Sequence, residues 1–328
     1  VRPTRDGIHG REYINTCIEL SRRVSRLGFK DDMSLDMELP PILEIPLPLM
    51  FQQPSFGVLS DNVLVAAAMT AHRLETMMFI KPEDYTEVLM PYAESLVPCV
   101  TRETVDKHSE LIKKSRMVEL AYETGIENEF DRVRGLKKDV IIAVGLPLNA
   151  QAADRALTLT QAGVDTIHFY ADDHGNERDT DKPRFLKEMI REVHLKLVEK
   201  CIRKQVKLIF SGGIAMAEHM AKAIICGADG ITVDIPLLIA LECRVCYQCI
   251  KGLPCPVRLE DFDPDWGSQR IANLIAAWRN QLIEVMGAMG IREVRRLCGE
   301  VGRSMWFEDL EKESFAPLFG ERKVKGLE

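Results

Sequence analysis

Between residues 140 and 241 the chain alternates short, continuously apolar runs with helical stretches, and this alternation restricts the fold more than any other feature. Val140–Val144, Asp165–Tyr170, Val206–Phe210 and Gly230–Val233 read as strands. Ala150–Ala162, Pro183–Lys204, Ala217–Cys226 and Pro236–Leu241 read as the helices that follow them. Strands alternating with helices form βαβ units and a parallel sheet. Strands without a polar face imply burial on both sides. Upstream, Leu47–Phe51 reads as a strand and Asp61–Arg73 as a helix, Met77–Ile80 and Ser95–Val100 fit short strands, and His108–Met117 fits a helix. The span 45–242 is about 200 residues, the lower end of the range for an eightfold β/α barrel. The expected fold class is therefore α/β, a (β/α)8 TIM-type barrel, with an open doubly wound sheet as the alternative.

Three parts are expected: an N-terminal arm or cap over 1–44, the barrel over 45–242, and a cysteine-rich loop with a helical extension over 243–328. Glu12–Leu27 has helical spacing, with Ile14, Cys17, Ile18 and Val24 on one face. In the extension, Ser268–Gly287 reads as a long amphipathic helix and Ile291–Leu297 as a shorter one.

Apolar residues make up 46% of the chain and charged residues 28%, enough for a substantial core. The net charge of −7 is spread along the sequence without a basic run, which argues against nucleic acid as a partner. The most apolar early stretch, Leu39–Phe51, is broken by four prolines and Glu44, so neither a membrane span nor a signal peptide is expected. Clustered cysteines in a long chain point to metal rather than disulfides, and to a reducing, cytoplasmic setting.

The cysteines read Cys243-Arg-Val-Cys246-Tyr-Gln-Cys249, then Cys255-Pro256 after five more residues. Two successive C-x-x-C steps place three thiolates around one small turn, and the fourth arrives with the Cys-Pro ending of bacterial ferredoxin runs. An iron–sulfur cluster, [4Fe-4S] or [3Fe-4S], fits this spacing. Structural zinc is the alternative, although its paired knuckles usually stand further apart.

Ser211-Gly212-Gly213-Ile214 ends a strand and opens a helix. Such a turn either cradles a phosphate on free amides or is a plain tight turn. Asp172, Asp173, His168 and His174 lie at or just past the C-terminal end of a strand, where barrel chemistry occurs. Asp172 and His174 are thus candidate acid–base groups, with a solvated polar loop as the plainer reading.

These segments carry a resemblance. Ser211-Gly-Gly-Ile, Gly227-Ala-Asp-Gly, Leu238-Ile-Ala-Leu, Cys255-Pro-Val, Ala277-Trp-Arg-Asn-Gln-Leu and Met289-Gly-Ile-Arg-Glu-Val resemble the FMN-binding synthase domain of glutamate synthase, in its short archaeal-type form. Pro54-Ser-Phe-Gly-Val-Leu-Ser60 resembles the loop after that family's first barrel strand. The resemblance implies FMN on a β/α barrel beside an iron–sulfur cluster, with electrons arriving from a partner redox subunit; self-association through the tail is also open. It assigns Cys243, Cys249 and Cys255 as cluster ligands, with Cys246 as a fourth, and Ser55, Gly57, Ser211, Gly212 and Gly213 as flavin-binding positions. Other positions depart from the family. Asp234-Ile235 stands where the second phosphate loop has Gly-Thr, the lysine expected near Ile142–Val144 is absent, and the substrate loop survives only as Asp172-Asp173-His174-Gly175. Three functions follow: a flavin-linked iron–sulfur oxidoreductase, an electron-transfer or scaffold subunit that has lost FMN, and a zinc-stapled structural protein.

Overall fold

The structure, a computed structural model, describes residues 14–24, 26–54, 56–57, 59–303, 312–313 and 316–320. Eight parallel strands close into a barrel: β3 (Leu49–Gln52), β4 (Met78–Ile80), β5 (Leu96–Val100), β6 (Met117–Ala121), β7 (Ile141–Pro147), β8 (Thr166–Tyr170), β9 (Lys207–Ser211) and β10 (Gly230–Val233). The last strand pairs with the first, Ile231 opposite Leu49 and Val233 opposite Phe51. The expected closed barrel is thus the observed fold.

The strands are apolar because both faces are covered. Phe51, Phe79, Phe169 and Phe210 are fully buried, and the rings of Phe169 and Phe210 stack 4.9 Å apart. Around the barrel lie α1 (Asp61–Arg73), α2 (Ser109–Lys114), α3 (Phe130–Leu136), α4 (Ala152–Gln161), α5 (Leu186–Glu199), α6 (Ala217–Cys226) and α7 (Ile235–Ala240). The long α8 (Pro264–Ala288) packs across α1 and α6, burying Ile271, Ile275, Trp278 and Leu282. At its crossing with α1, a side chain on Gly267 would stand 3.0 Å from Ala66 Cβ and collide with Phe262. Nearby, Thr70 and Ser268 join their buried hydroxyls at 3.0 Å.

Three expectations are corrected. Met117 opens the fourth barrel strand, Met117–Ala121, instead of ending the expected helix His108–Met117; α2 stops at Lys114, where Ser115 is extended. The arm is not helical among its described residues. β1 (Ile18–Glu19) instead pairs antiparallel with β2 (Glu44–Ile45) outside the barrel. Ile18 reaches under the barrel floor, its Cδ1 within 3.1 Å of where a side chain on Gly230 would begin. Asn15 exchanges backbone hydrogen bonds with Arg292 and Val294, so arm and tail meet at the floor. Ile291–Leu297 is a short 3-10 turn over Val294–Arg296 rather than an α-helix.

Candidate functional site

The cysteine loop sits on the rim at the C-terminal end of the barrel. Cys243 follows α7, and the loop returns to the fold through Leu259, whose carbonyl accepts from Ser60 Oγ at 3.1 Å. Asn62 Nδ2 donates to the Glu260 carbonyl at 3.1 Å. Both anchors lie at the start of α1, where Ser60 is also the N-cap. Phe56, in the loop after β3, packs on Tyr247 with ring centroids 4.7 Å apart.

All four thiols, Cys243, Cys246, Cys249 and Cys255, line one small cavity, together with Phe56, Gly57, Arg244 and Tyr247. Among the described residues, no three His, Cys, Asp or Glu side chains are gathered as they would be around a single metal ion. A multi-iron cluster holds its thiolates further apart, and a set of thiols surrounding a shared space is the arrangement it uses. The Val245 amide points at the Cys243 sulfur at 3.4 Å. Such hydrogen bonds stabilise a thiolate ligand and tune the potential of a cluster. Burial, reinforced by the other three cysteines, pushes the Cys243 thiol up. Ionising four neighbouring thiols requires a compensating cation, which metal binding supplies.

The loop's backbone is held in an unusual state. Of eight non-glycine residues with positive φ among the described residues, four are Glu242, Val245, Tyr247 and Arg258. Left-handed backbone is costly for a β-branched residue such as Val245, and strain of this kind concentrates at functional sites. Here it falls in the loop whose four cysteines line the cavity.

Inside the barrel mouth lies a second group of polar residues. Glu119 on β6 is 3% exposed, and its Oε2 lies 2.7 Å from Nδ1 of His168 on β8, which is fully buried. The Tyr170 hydroxyl donates to Glu119 Oε1. His168 Nε2 is 3.5 Å from Thr232 Oγ1 on β10. Burial, and then the Glu119 carboxylate, push the Cys99 thiol and the Tyr170 phenol well above their usual ranges. Glu119 lies just past the expected helix His108–Met117, where no element was expected, and Tyr170 ends an expected strand without a signal of its own. His168 was visible only as a polar residue in an apolar strand.

The glycine turn has a more modest role than a phosphate cradle. A side chain on Gly212 would stand 2.4 Å from the Asp172 carbonyl, and one on Gly213 would stand 2.4 Å from the Gly175 amide. The room these glycines leave is therefore filled by the loop after β8. Ser211 commits its hydroxyl to the Phe169 carbonyl at 3.2 Å. At the start of α7, Asp234 Oδ1 accepts from the Ile235 amide at 2.6 Å, occupying a donor that a phosphate would use. Burial raises the Asp234 carboxyl pKa, and nearby Asp173 raises it further. A carboxylate in this place repels a phosphate. The residues here do not fit the phosphate of FMN.

Of the remaining candidates, Gly57 lies against Leu238 and lines the thiol cavity, and Ser55 falls outside the described residues. Asp172 Oδ1 accepts from the amides of His174 at 2.9 Å and Asn176 at 2.7 Å. Burial opposes its ionisation, but the bonds from Asn176 and His174 hold its carboxyl below the usual range. That is a loop-bracing role. The His174 backbone joins it while the residue is exposed, so the two do not form a side-chain pair.

Comparisons with known proteins agree with this architecture. Residues 178–292 match the model of the conserved region in glutamate synthase. An archaeal glutamate synthase [NADPH] of Methanocaldococcus jannaschii is 25% identical over 82% of this chain and 64% of its own length. That of Archaeoglobus fulgidus is 24% identical over 90% of this chain and 70% of its own length. The chain thus spans about two thirds of the curated relatives it matches. Among solved structures, a flavocytochrome b2 mutant with benzoylformate superposes with a TM-score of 0.58 at 13% identity, covering 98% of this chain and 86% of that one. Another with pyruvate bound gives 0.54 at 14% identity, covering 98% and 87%. That likeness is one of fold. With the barrel, the rim loop and these relatives together, the chain is similar to glutamate synthases of the short archaeal type.

Proposed function

We propose that this chain is a redox component of the glutamate synthase type whose electron carrier is an iron–sulfur cluster on Cys243, Cys246, Cys249 and Cys255. The observation that carries the reading is the meeting of four thiols around one cavity, on a strained loop pinned to the barrel rim. A cluster there would exchange single electrons between a donor subunit and the barrel mouth. The chain's own contribution is to hold the thiols converging, to direct the Val245 amide at one sulfur, and to cover the site with Phe56 and Tyr247.

The names of the relatives favour an oxidoreductase linked to NADPH through a partner and, with flavoproteins sharing the barrel, a flavin at its mouth. The Asp234 carboxylate favours a second reading, an electron relay without FMN.

Anaerobically purified protein assayed for iron, acid-labile sulfide, zinc and released flavin separates these. Iron with sulfide is the expected result. Flavin alongside them supports the flavin-linked oxidoreductase, and iron and sulfide without flavin support the relay. Zinc without sulfide overturns both and leaves a zinc-stapled protein.

A further inference from the structure

At the barrel floor, opposite the thiols, lies a cleft of about 810 Å³ between the N-terminal ends of β9 and β10, the arm and the tail. Its walls carry Arg23, Arg203, Lys204, Lys207, Arg295 and Arg296, against Asp229 and Glu293. In sequence these cations come from three separate segments, none of them a basic run. On a chain of net charge −7, a cleft of the opposite sign is a local feature with its own field.

The carboxylates present are already shared. Asp229 serves Arg203 at 2.7 Å and Lys207 at 4.0 Å. Glu19, just outside the cleft, serves Arg23 at 2.9 Å and Arg295 at 2.8 Å. Glu293 serves Arg295 at 3.6 Å and Arg296 at 3.8 Å. Among the described residues three carboxylates thus face six cations, and Lys204 makes no ion pair with any of them. Lys207 is the telling residue. It is 6% exposed, its ammonium reaches Asp229 only at 4.0 Å among the described residues, with Glu19 acting on it from further off, and it lines the cleft. A buried ammonium without close hydrogen-bonded partners is costly, and an anion in the cleft would relieve it.

We infer that this floor cleft is a binding site for a small molecule carrying two or more phosphate groups. The volume lies within the range of small-molecule sites. Guanidinium groups on the rim match phosphate oxygens in pairs. Among the described residues no Phe, Tyr or Trp side chain lines the cleft and His194 is its one ring, so recognition is of the phosphates rather than of a base.

The probe is inorganic pyrophosphate, titrated calorimetrically into the full chain with its metal content intact, at two salt concentrations. The expected result is one site per chain, weakened by salt. The exposed double variant Lys204→Gln/Arg296→Gln should weaken binding by about tenfold or more, as loss of charge-assisted hydrogen bonds predicts. It should leave iron and sulfide content unchanged. Lys207→Met should weaken binding likewise, and the double variant keeps the test decisive if the buried one misfolds. Absence of pyrophosphate binding, or equal binding by wild type and double variant, overturns the inference. Binding of polyglutamate but not pyrophosphate also overturns it, in favour of an acidic protein segment.

Discussion

Glu119 and His168 meet inside the barrel, carboxylate to imidazole at 2.7 Å, across the intervening strand β7. The strand between them makes room by carrying Gly145, where a side chain would stand 2.7 Å from Glu119 Cδ and 2.9 Å from Tyr170 Cε2. Three residues from three strands are therefore fitted to one another. Gly145→Ala should overpack this group and destabilise the protein by about 1–3 kcal/mol. Urea unfolding measures it, and unchanged stability would mean that the barrel mouth relaxes freely.

Removing one partner tests the same group electrostatically. Tyr170→Phe leaves Glu119 Oε1 without its hydroxyl donor, and a buried acceptor left unpaired costs about 1–3 kcal/mol. The double variant Tyr170→Phe/Glu119→Gln should lose less than the sum of the single losses, because the two side chains share one interaction. Additive losses would show that they act independently.

The start of α7 makes a prediction about flavin. Asp234→Gly removes the carboxylate that occupies the Ile235 amide. Retention of added FMN after gel filtration should rise relative to wild type, read from flavin absorbance. If retention does not change, Asp234 is not what opposes the phosphate.

At the floor, His194 is 9% exposed and accepts from Arg203 Nε at Nδ1, 3.1 Å away. Burial first, then Arg203 and Arg191, lower its pKa to about 4 from 6.5. The folded state thus keeps His194 neutral at pH values where the unfolded chain protonates it. Stability should be full above pH 6.5 and fall as the pH drops towards 4, by at most about 3 kcal/mol from this residue. Denaturant melts at pH 7.5 and 5 should show the loss. His194→Gln should flatten the dependence, and an unchanged pH profile in the variant would assign it to other groups.

What could be read in advance divides along physical lines. Parallel strands such as Gly230–Val233, buried on both faces, leave an unbroken apolar signature, and short helices such as Ala217–Cys226 declare themselves by periodicity. β6 was hidden because Glu119 interrupts it, and that same acid is its functional interest. The four thiols lie within thirteen residues, so their spacing was legible. The floor cleft was not, since Arg23, Lys207 and Arg296 approach only through the fold. Gly212-Gly213 announced a close approach, but not that the neighbour is the backbone of Asp172–Gly175.

The cysteines themselves differ in their expected roles. Cys246 is exposed, whereas Cys243, Cys249 and Cys255 are partly buried. Cys246→Ser should keep a cluster and shift its signal from a four-iron to a three-iron type, while Cys243→Ser should lose it. Electron paramagnetic resonance on oxidised and reduced samples distinguishes these, and identical spectra for Cys246→Ser and wild type would remove Cys246 from the ligand set.

The proposed iron–sulfur cluster belongs on the rim loop, at Cys243, Cys246, Cys249 and Cys255. Its most direct test is iron and acid-labile sulfide content of anaerobically purified protein, compared between wild type and Cys243→Ser/Cys249→Ser. Matched iron and sulfide are expected in the wild type and neither in the double variant. Wild-type protein with zinc and no sulfide, or iron that persists in the double variant, would contradict it.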